Sequence, residues 1–597
     1  MADTKVRTTH GPTFIRVESG SLIAPEDVGA EIVNMYPTEE GTLRAVWGPS
    51  PYTPDYGSGY PSFNGNLHGI GHFTMVDGRE LLLIQWGDTI RVFEGWEAAG
   101  TPADMWEALI GPAATNPQVV GEFGSDLRPR FPAQFERTPG GVVIIPRGAN
   151  SRPYFYDGRV VLPLGYDRAP SPPVGWGPES DGALIDASSS AVNAMGYHHD
   201  GSVVHDDFRT CRVGTVTTEG LTGSGSSTTG GPEVLGTLQR GHYQGAVQWI
   251  DRWGNLSPQS GRSNSIVILE EKGYIDATSN YDLTVEYLLK QLAWTGIEPG
   301  PEGTVGRVLL RTKDQLHSGS LALYEVPANN FHGSLAFATI PDNDTDLYPD
   351  NVPDSSLLIE GVDAVPVRPF KLYKTAFGHG FAANYEDDPG LLRWTMPGRW
   401  GTFQENDFAY VDPHGAEITG MHAVAAGLLV FTEASTFLIE QKDIQGLSFR
   451  AKTVHSSIGC SAPSSIKTLP NGQTVWLSRE GFCTYEEKTS AFGGSQGEVE
   501  VISRDIDRYV RDFNRARLLQ AVALVDPRTQ AYRCWVAWRG STTNNMCWEY
   551  DGTGWRQRDD MTTVSGACVT DDHRRYPLVV GQATNSSPTT VKRVWLL

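Results

Sequence analysis

The sequence predicts an all-β protein: a β-propeller with an inserted immunoglobulin/fibronectin-like β-sandwich and few short helices. Three observations predict it. Gly and Pro are abundant, 66 and 38 of 597 residues, and punctuate many short elements, because Gly supplies positive φ and Pro fixes φ in turns. Sixteen Trp, with frequent Val, Thr, Tyr and Phe, suit pleated, half-buried strands. A strand–turn–strand pattern also returns about every 45–60 residues, the scale of a propeller blade. An array of plain β-sandwiches is the competing reading of the same pattern.

Residues 1–65 read as an extended N-terminal segment and 66–170 as the first blades. In 79–94 an apolar strand, the turn Gly87-Asp88 and an alternating strand follow one another, and such a pair has the backbone freedom a tight hairpin needs. Residues 140–165 repeat the idea. Residues 171–360 read as a loop-rich insertion whose sandwich core spans about 233–340. Its first part, 171–232, is rich in Pro, Gly and Ser and reads as a loop or flexible excursion. The strands His242–Ile250, Ser265–Leu269, Arg307–Lys313 and Leu321–Val326 follow. Residues 361–597 carry the remaining blades, with hairpins at 427–440, 473–485 and 531–552. Helix is scarce. The clearest candidate starts at Ser503 as N-cap, with Ile506, Tyr509, Val510 and Phe513 at helical spacing. Asp282 to Trp294 is a weaker candidate.

The formal charge is −22, from 48 basic and 70 acidic side chains. That sign argues against a protein that grips phosphates through clustered Lys and Arg. It suits simple solubility, and equally a conduit that DNA passes without sticking. The six Cys, at 211, 460, 483, 534, 547 and 568, contain no C-x-x-C pair, so zinc spacings are missing. They suit buried thiols in a reducing cytoplasm, although Cys534 and Cys547 could also face each other across a hairpin. No signal peptide is expected from the first residues, and no apolar run approaches the ~20 residues of a membrane span.

Motifs with chemistry are few. Gly220–Gly225 has the glycine spacing of phosphate loops, but no strand leads into it. Asp342, Asp344 and Asp346 match the first three ligand positions of a calcium loop, while Leu347 stands where Gly is required and Pro353 where Glu is required. An Asp-rich structural turn is the favoured reading there. His198, His199 and Asp200, with His205, Asp206 and Asp207, have metal-ligand chemistry but sit in the Gly/Ser-rich region, and a solvated loop is favoured. Glu39-Glu40 and Asp387-Asp388 flank turns. No catalytic, cofactor-binding or metal residue is assigned, and no cofactor and no enzymatic activity are expected.

Four stretches, in order along the chain, carry a resemblance to a known family. They are Ala30-Glu-Ile-Val-Asn-Met-Tyr-Pro-Thr-Glu-Glu; Tyr156-Asp-Gly with Leu164-Gly-Tyr and Ala169-Pro-Ser-Pro-Pro; Tyr243 through Ser260 with Asp251-Arg-Trp-Gly-Asn-Leu-Ser; and a final series. That series is Ile418-Thr-Gly-Met, Leu428-Leu-Val-Phe, Ile458-Gly-Cys, Leu477-Ser-Arg-Glu-Gly-Phe and Ile502-Ser-Arg-Asp-Ile. Together they resemble the β-propeller tail nozzle or tail hub (DNA-stabilisation) proteins of short-tailed bacteriophages. The resemblance implies a structural virion protein of the viral tail, assembled in the host bacterial cytoplasm. It implies a homohexamer docked on the tail adaptor and portal complex, with tail fibres as further partners. Such a ring retains the packaged genome and passes double-stranded DNA during ejection without sequence-specific binding. Six chains carry roughly −130 formal charges, a field that repels phosphates wherever it lines a lumen.

Two other functional classes fit an acidic propeller. A carbohydrate- or receptor-binding propeller would use exposed Trp, with Trp47, Trp96, Trp176, Trp253 and Trp400 as candidates near Gly or Pro. A propeller glycosidase would need two convergent carboxylates.

Overall fold

The computed structural model describes residues 35–37, 43–45, 50–51, 67–86, 89–94, 106–110, 133–146, 152–176, 211–212, 238, 241–268, 288–289, 292–327, 338–346, 348–350, 352–442, 448–489, 495–558, 561–571, 574–583 and 593–596. The chain divides into two compact units. One comprises 1–164, 368–398 and 407–597; the other comprises 165–367 and 399–406.

Among the described residues the first unit is a propeller of seven antiparallel blades. Blade 1 is formed by Leu67–Thr74, Glu80–Trp86, Thr89–Glu94 and Trp106–Ile110. Blade 2 is Gln134–Thr138, Gly141–Ile145, Tyr154–Tyr156 and Val161–Pro163. Blade 3 is Phe370–Ala376, His379–Tyr385, Leu391–Thr395 and the part of Phe403–Tyr410 from Asp407 onward. Blade 4 is Ile418–Val424, Gly427–Thr432, Thr436–Gln441 and Phe449–His455. Blade 5 is Lys467–Thr468, Thr474–Ser478, Gly481–Thr489 and Ser495–Val501. Blade 6 is Val522–Val525, Tyr532–Val536, Met546–Tyr550 and Trp555–Arg558.

Blade 7 takes its strands from distant parts of the sequence. Met561–Asp571, Arg574–Ala583 and Arg593–Leu596 are joined by Ser50–Pro51, which pairs with Arg593–Leu596. The first strand of each blade touches that of the next, and the first strand of blade 7 touches that of blade 1. Between blades 4 and 5 the contact runs through the 3-10 turn Pro463–Ser465. A closed ring leaves no blade without a neighbour on either face, and a four-stranded sheet that is apolar on both faces needs two neighbours.

The blade interfaces are where the Trp-rich composition is spent. Leu81, Leu83, Val92, Val142, Ile144 and Tyr154 form one core between blades 1 and 2. Between blades 5 and 6, Val475, Leu477, Phe482, Tyr532, Trp548 and Trp555 form another. Two buried indoles have backbone acceptors: Trp476 Nε1 donates to the Gly459 carbonyl at 2.9 Å and Trp555 Nε1 to the Ile502 carbonyl at 3.0 Å. Hairpin turns keep the blades tight. Gly481 has φ 125°, and a Cβ there would lie 2.2 Å from Ser503 Oγ, so only glycine fits.

The second unit enters the chain between blades 2 and 3 and is a small β-sandwich. Gly245–Asp251, Thr304–Thr312 and Leu323–Glu325 make one antiparallel sheet, and Val174–Trp176, Leu292–Thr295 and Tyr348–Asp350 another. Tyr243, Val247, Trp294, Leu309 and Tyr348 share the core. The three-stranded sheet also buries its other face, through Ala246, Ile250, Val308 and Leu310.

Three local expectations change. Ser503 does not cap a helix. Its Oγ accepts the Phe482 amide at 3.0 Å, and the segment is a 3-10 turn, Arg504–Ile506, followed by one α-turn, Asp507–Val510. Ile506, Tyr509, Val510 and Phe513 do face one core, that of blades 5 and 6. The stretch from Asp282 to Trp294 gives strand where it is described, Leu288–Leu289 and Leu292–Thr295, because Trp294 is buried between sheets and donates Nε1 to Asp350 Oδ2 at 3.2 Å. Residues 1–65, expected as one extended segment, supply a strand to blade 7 and the pair Met35–Pro37 with Leu43–Ala45.

Candidate functional site

The first strands of the blades surround an axial cavity of about 170 Å³. Blade 2 contributes Glu136, blade 3 Lys374, blade 4 His422, the turn into blade 5 Ser464, and blade 5 itself Lys467. These side chains reach one place because the inner strands run side by side around the axis, and alternate residues of each strand project to the same face.

The polar groups are tied across blade boundaries. Lys374 Nζ donates to Glu136 Oε2 at 2.6 Å, and Thr375 donates to Oε1 through its amide at 3.2 Å and its hydroxyl at 3.1 Å. His422 Nε2 lies 2.7 Å from Thr468 Oγ1, which lies 3.0 Å from Thr474 Oγ1. Desolvation at the cavity wall pushes the His422 pKa down to about 3, with Lys374 and Lys467 adding to the effect, so the ring is neutral at physiological pH. Among the described residues, Glu136 is the only carboxylate lining this cavity.

The sequence candidates are placed as follows. Asp342 is committed to its own turn. Its Oδ1 accepts the Asp344 amide at 2.9 Å, the Thr345 amide at 2.7 Å and Arg307 Nη2 at 3.0 Å; its Oδ2 accepts the Thr345 hydroxyl at 2.7 Å. Burial opposes ionisation of Asp342, but the hydrogen bonds from Thr345 and Asp344 and the Arg307 charge hold its pKa below the usual value. Asp344 and Asp346 are exposed. Among the described residues no group of three His, Cys, Asp or Glu side chains is placed to hold a metal ion.

Asp387 pairs with Arg368 and Asp388 accepts the Tyr410 hydroxyl, so the two neighbouring carboxylates have separate partners. Trp400 is buried, while Trp253 is half-buried beside Arg252. Trp176 lies on the strand Val174–Trp176. Trp47, Trp96, Glu39, Glu40, the histidines 198, 199 and 205 with Asp200, Asp206 and Asp207, and the stretch 220–225 lie outside the described residues.

The thiols of Cys534 and Cys547 do not face each other. Cys534 pairs with Trp548 and Cys547 with Trp535, an offset of one that sends the two side chains to opposite faces of the sheet. Cys460, Cys483 and Cys534 are buried thiols whose pKa values burial raises, those of Cys483 and Cys534 to about 12. Among the described residues no helix is long and apolar enough to cross a membrane.

Glu136, Lys374, His422 and Lys467 escaped the sequence reading because they come from four blades and share no linear spacing. The one available signal was that each sits on the first strand of its hairpin unit.

No protein-family model and no curated protein matches the chain. Among solved structures it is similar to PorZ, a bacterial surface component of the type-IX secretion system of Porphyromonas gingivalis, at 11% identity and a TM-score of 0.22 over 91% of this chain. The chain spans 63% of the length of PorZ. BBS1N, solved in complex with ARL6DN, matches at 8% identity and a TM-score of 0.23, over 92% of this chain and 97% of its own. AztD from Citrobacter koseri matches at 9% identity and a TM-score of 0.22, over 59% and 94%. Likenesses this weak decide nothing about function.

Proposed function

We propose that this chain is a structural virion protein, the nozzle or hub of a short phage tail, acting as a homohexameric ring beneath the adaptor and portal complex. The observation that carries the reading is the order of the family-like stretches along an interrupted propeller. Tyr156-Asp-Gly turns the third strand of blade 2 into the fourth. Asp251-Arg-Trp-Gly-Asn makes a hairpin turn of the inserted sandwich, and the later stretches fall in order on blades 4 and 5 and the connection to blade 6.

The propeller axis of one copy is not the DNA path. Its cavity is only about 170 Å³, whereas the major groove of a duplex alone is about 12 Å wide. DNA therefore passes between copies, through a lumen whose acidic lining repels phosphates and lowers friction. Tail fibres would attach to the outer surface of such a ring.

The test is the oligomeric state of the purified full chain, alone and with a portal–adaptor complex, by mass photometry and electron microscopy. A discrete six-membered ring that docks on the adaptor is expected. A persistent monomer that binds glycans on an array would replace this reading with a carbohydrate-binding one, and hydrolysis lost on a single Asp or Glu substitution would establish a glycosidase.

A further inference from the structure

Strands alternate in direction within each blade, so the turn between the second and third strands and the connection to the next blade lie at one end of the propeller. At that end the charge is divided. The connection from blade 5 to blade 6 carries Arg504, Arg508, Arg511 and Arg515, all exposed, while Ile506, Tyr509, Val510 and Phe513 turn to the core. Arg511 pairs with Asp507, and Arg515 donates to the Arg479 carbonyl. The guanidinium groups of Arg504 and Arg508 have no partner among the described residues.

The same end of blade 3 is acidic. Its turn between the second and third strands holds Glu386, Asp387 and Asp388, and its connection to blade 4 holds Asp412 and Glu417, with Arg368 and Arg393 as the nearby cations. The two segments form one surface: a Cβ on Gly390 would lie 2.7 Å from the Gly415 carbonyl oxygen. Glu386 is exposed and its carboxylate has no partner among the described residues. Beside it the outer strand exposes Phe408 and Tyr410, 41% and 51% accessible, with their rings edge to face at 6.3 Å. The Tyr410 hydroxyl donates to Asp388. Exposed aromatic rings next to charged groups are the composition of interface centres.

We propose that these two surfaces meet between copies of this chain: the arginine row of one copy docks on the acidic, aromatic edge of blade 3 of the next. The contact is heterologous, since each copy offers one surface to each neighbour, and such contacts close rings. Both surfaces lie at the same end of the propeller, so copies turned about an axis parallel to its own bring them together at one level. They stand two and a half blades apart, about 130° around a circle of seven. In a six-membered ring each copy meets its two neighbours about 120° apart. The ring size rests on the tail reading, whereas the pairing of the surfaces rests on their chemistry alone. Asp505, Asp507 and Asp512 interleave with the arginines, a mixture that suits a protein surface better than a row of phosphates.

The test is the oligomeric state of the full chain by mass photometry, alone and with the portal–adaptor complex. In the unaltered chain, raising sodium chloride from about 50 to 500 mM is expected to weaken assembly, because exposed charge pairs are screened. Arg508→Glu and Glu386→Arg each raise the concentration for half-assembly about tenfold or more. The double variant, with the two charges exchanged, recovers most of that loss. Arg159→Glu, in the turn at the opposite end of blade 2, leaves assembly unchanged. Assembly that ignores both salt and the two single variants overturns this pairing and leaves the tail reading standing. A chain that stays monomeric alone and with the portal–adaptor complex overturns both. Retention of duplex DNA that is lost in Arg508→Glu, with assembly unchanged, overturns the pairing and gives the arginine row to nucleic acid.

Discussion

Ser50 pairs with Leu596 in an antiparallel ladder, so a strand from near the start of the sequence completes a blade built from its last forty residues. Blade 7 thereby joins residues more than five hundred positions apart, and the propeller closes by hydrogen bonds between strands that no local turn connects. Neither strand is long, since Ser50–Pro51 offers two residues and Arg593–Leu596 four. Closure depends on both blade faces being buried by neighbours.

Removing residues 1–52 is therefore expected to open the ring rather than trim a tail. The last strand of blade 7 becomes an exposed edge, a template for association with other copies. The expected outcome is a Tm lower by roughly 5 °C or more and faster protease cleavage within 561–597. An unchanged Tm and cleavage pattern would show that Ser50–Pro51 does not secure the ring.

Trp476 is fully buried between blades 4 and 5. Its ring centroid lies 5.0 Å from that of Phe431, and its indole donates to the Gly459 carbonyl. Trp476→Phe keeps most of the packing and strands the carbonyl, a cost of about 1–3 kcal/mol. Trp476→Ala adds a cavity and costs about 3–5 kcal/mol. Urea unfolding of the full chain measures both, and equal losses in the two variants would mean that the hydrogen bond dominates.

Blade 6 carries a buried ionic cluster on its two middle strands and the fourth. Arg533 Nε donates to Glu549 Oε2 at 2.6 Å, Arg556 Nη1 to Oε1 at 3.0 Å, and Arg533 also meets Asp526 at 3.0 Å. Burial raises the Glu549 pKa, but Arg533, Arg558 and Arg556 outweigh it and hold the carboxyl below its usual value. A depressed carboxylate contributes stability that is present above the unfolded value and lost as pH falls through the folded one. Glu549→Gln leaves three guanidinium groups facing a neutral amide and is expected to cost about 3 kcal/mol near neutral pH. The gap to the unaltered protein should narrow below the ordinary carboxylate range, about pH 4.3. A gap constant across pH would contradict the depressed ionisation.

The hairpins were legible because their determinants are local. Gly427-Leu-Leu-Val-Phe and Thr436-Phe-Leu-Ile-Glu pair in the register their turn dictates, and burial on both faces follows from their continuous apolar runs. The face formed by Ile506, Tyr509, Val510 and Phe513 was legible from spacing, but its length was not. Ser503 is drawn off to the Phe482 amide by a tertiary contact that no propensity encodes. The pairing of Ser50 with Leu596 and the meeting of Glu136, Lys374, His422 and Lys467 are consequences of ring closure. No sequence period states how many blades share a circle, so these relationships exist only in the folded chain.

Asp251 offers the opposite pH dependence to Glu549. Its Oδ1 accepts the amides of Trp253 and Asn255, each at 2.8 Å, and its Oδ2 accepts Asn255 Nδ2 at 2.8 Å. Asn255 Oδ1 in turn accepts the Gly401 amide, which fixes the orientation of that side chain. Burial nevertheless pushes the Asp251 pKa up to about 6. The native state then keeps a proton that the unfolded chain, with an ordinary Asp near 3.9, has released. Stability from this group is present below about pH 3.9 and is lost as pH rises through about 6. Asp251→Asn points an amide at Asn255 Nδ2, which cannot turn without abandoning Gly401, so the variant is weaker at low pH. Relative to it, the unaltered protein should lose up to about 3 kcal/mol between the two pKa values. Urea unfolding midpoints of both proteins from pH 4 to pH 7, at roughly unit intervals, measure that convergence. Parallel curves would mean that the hydrogen bonds to Asp251 keep it ionised throughout.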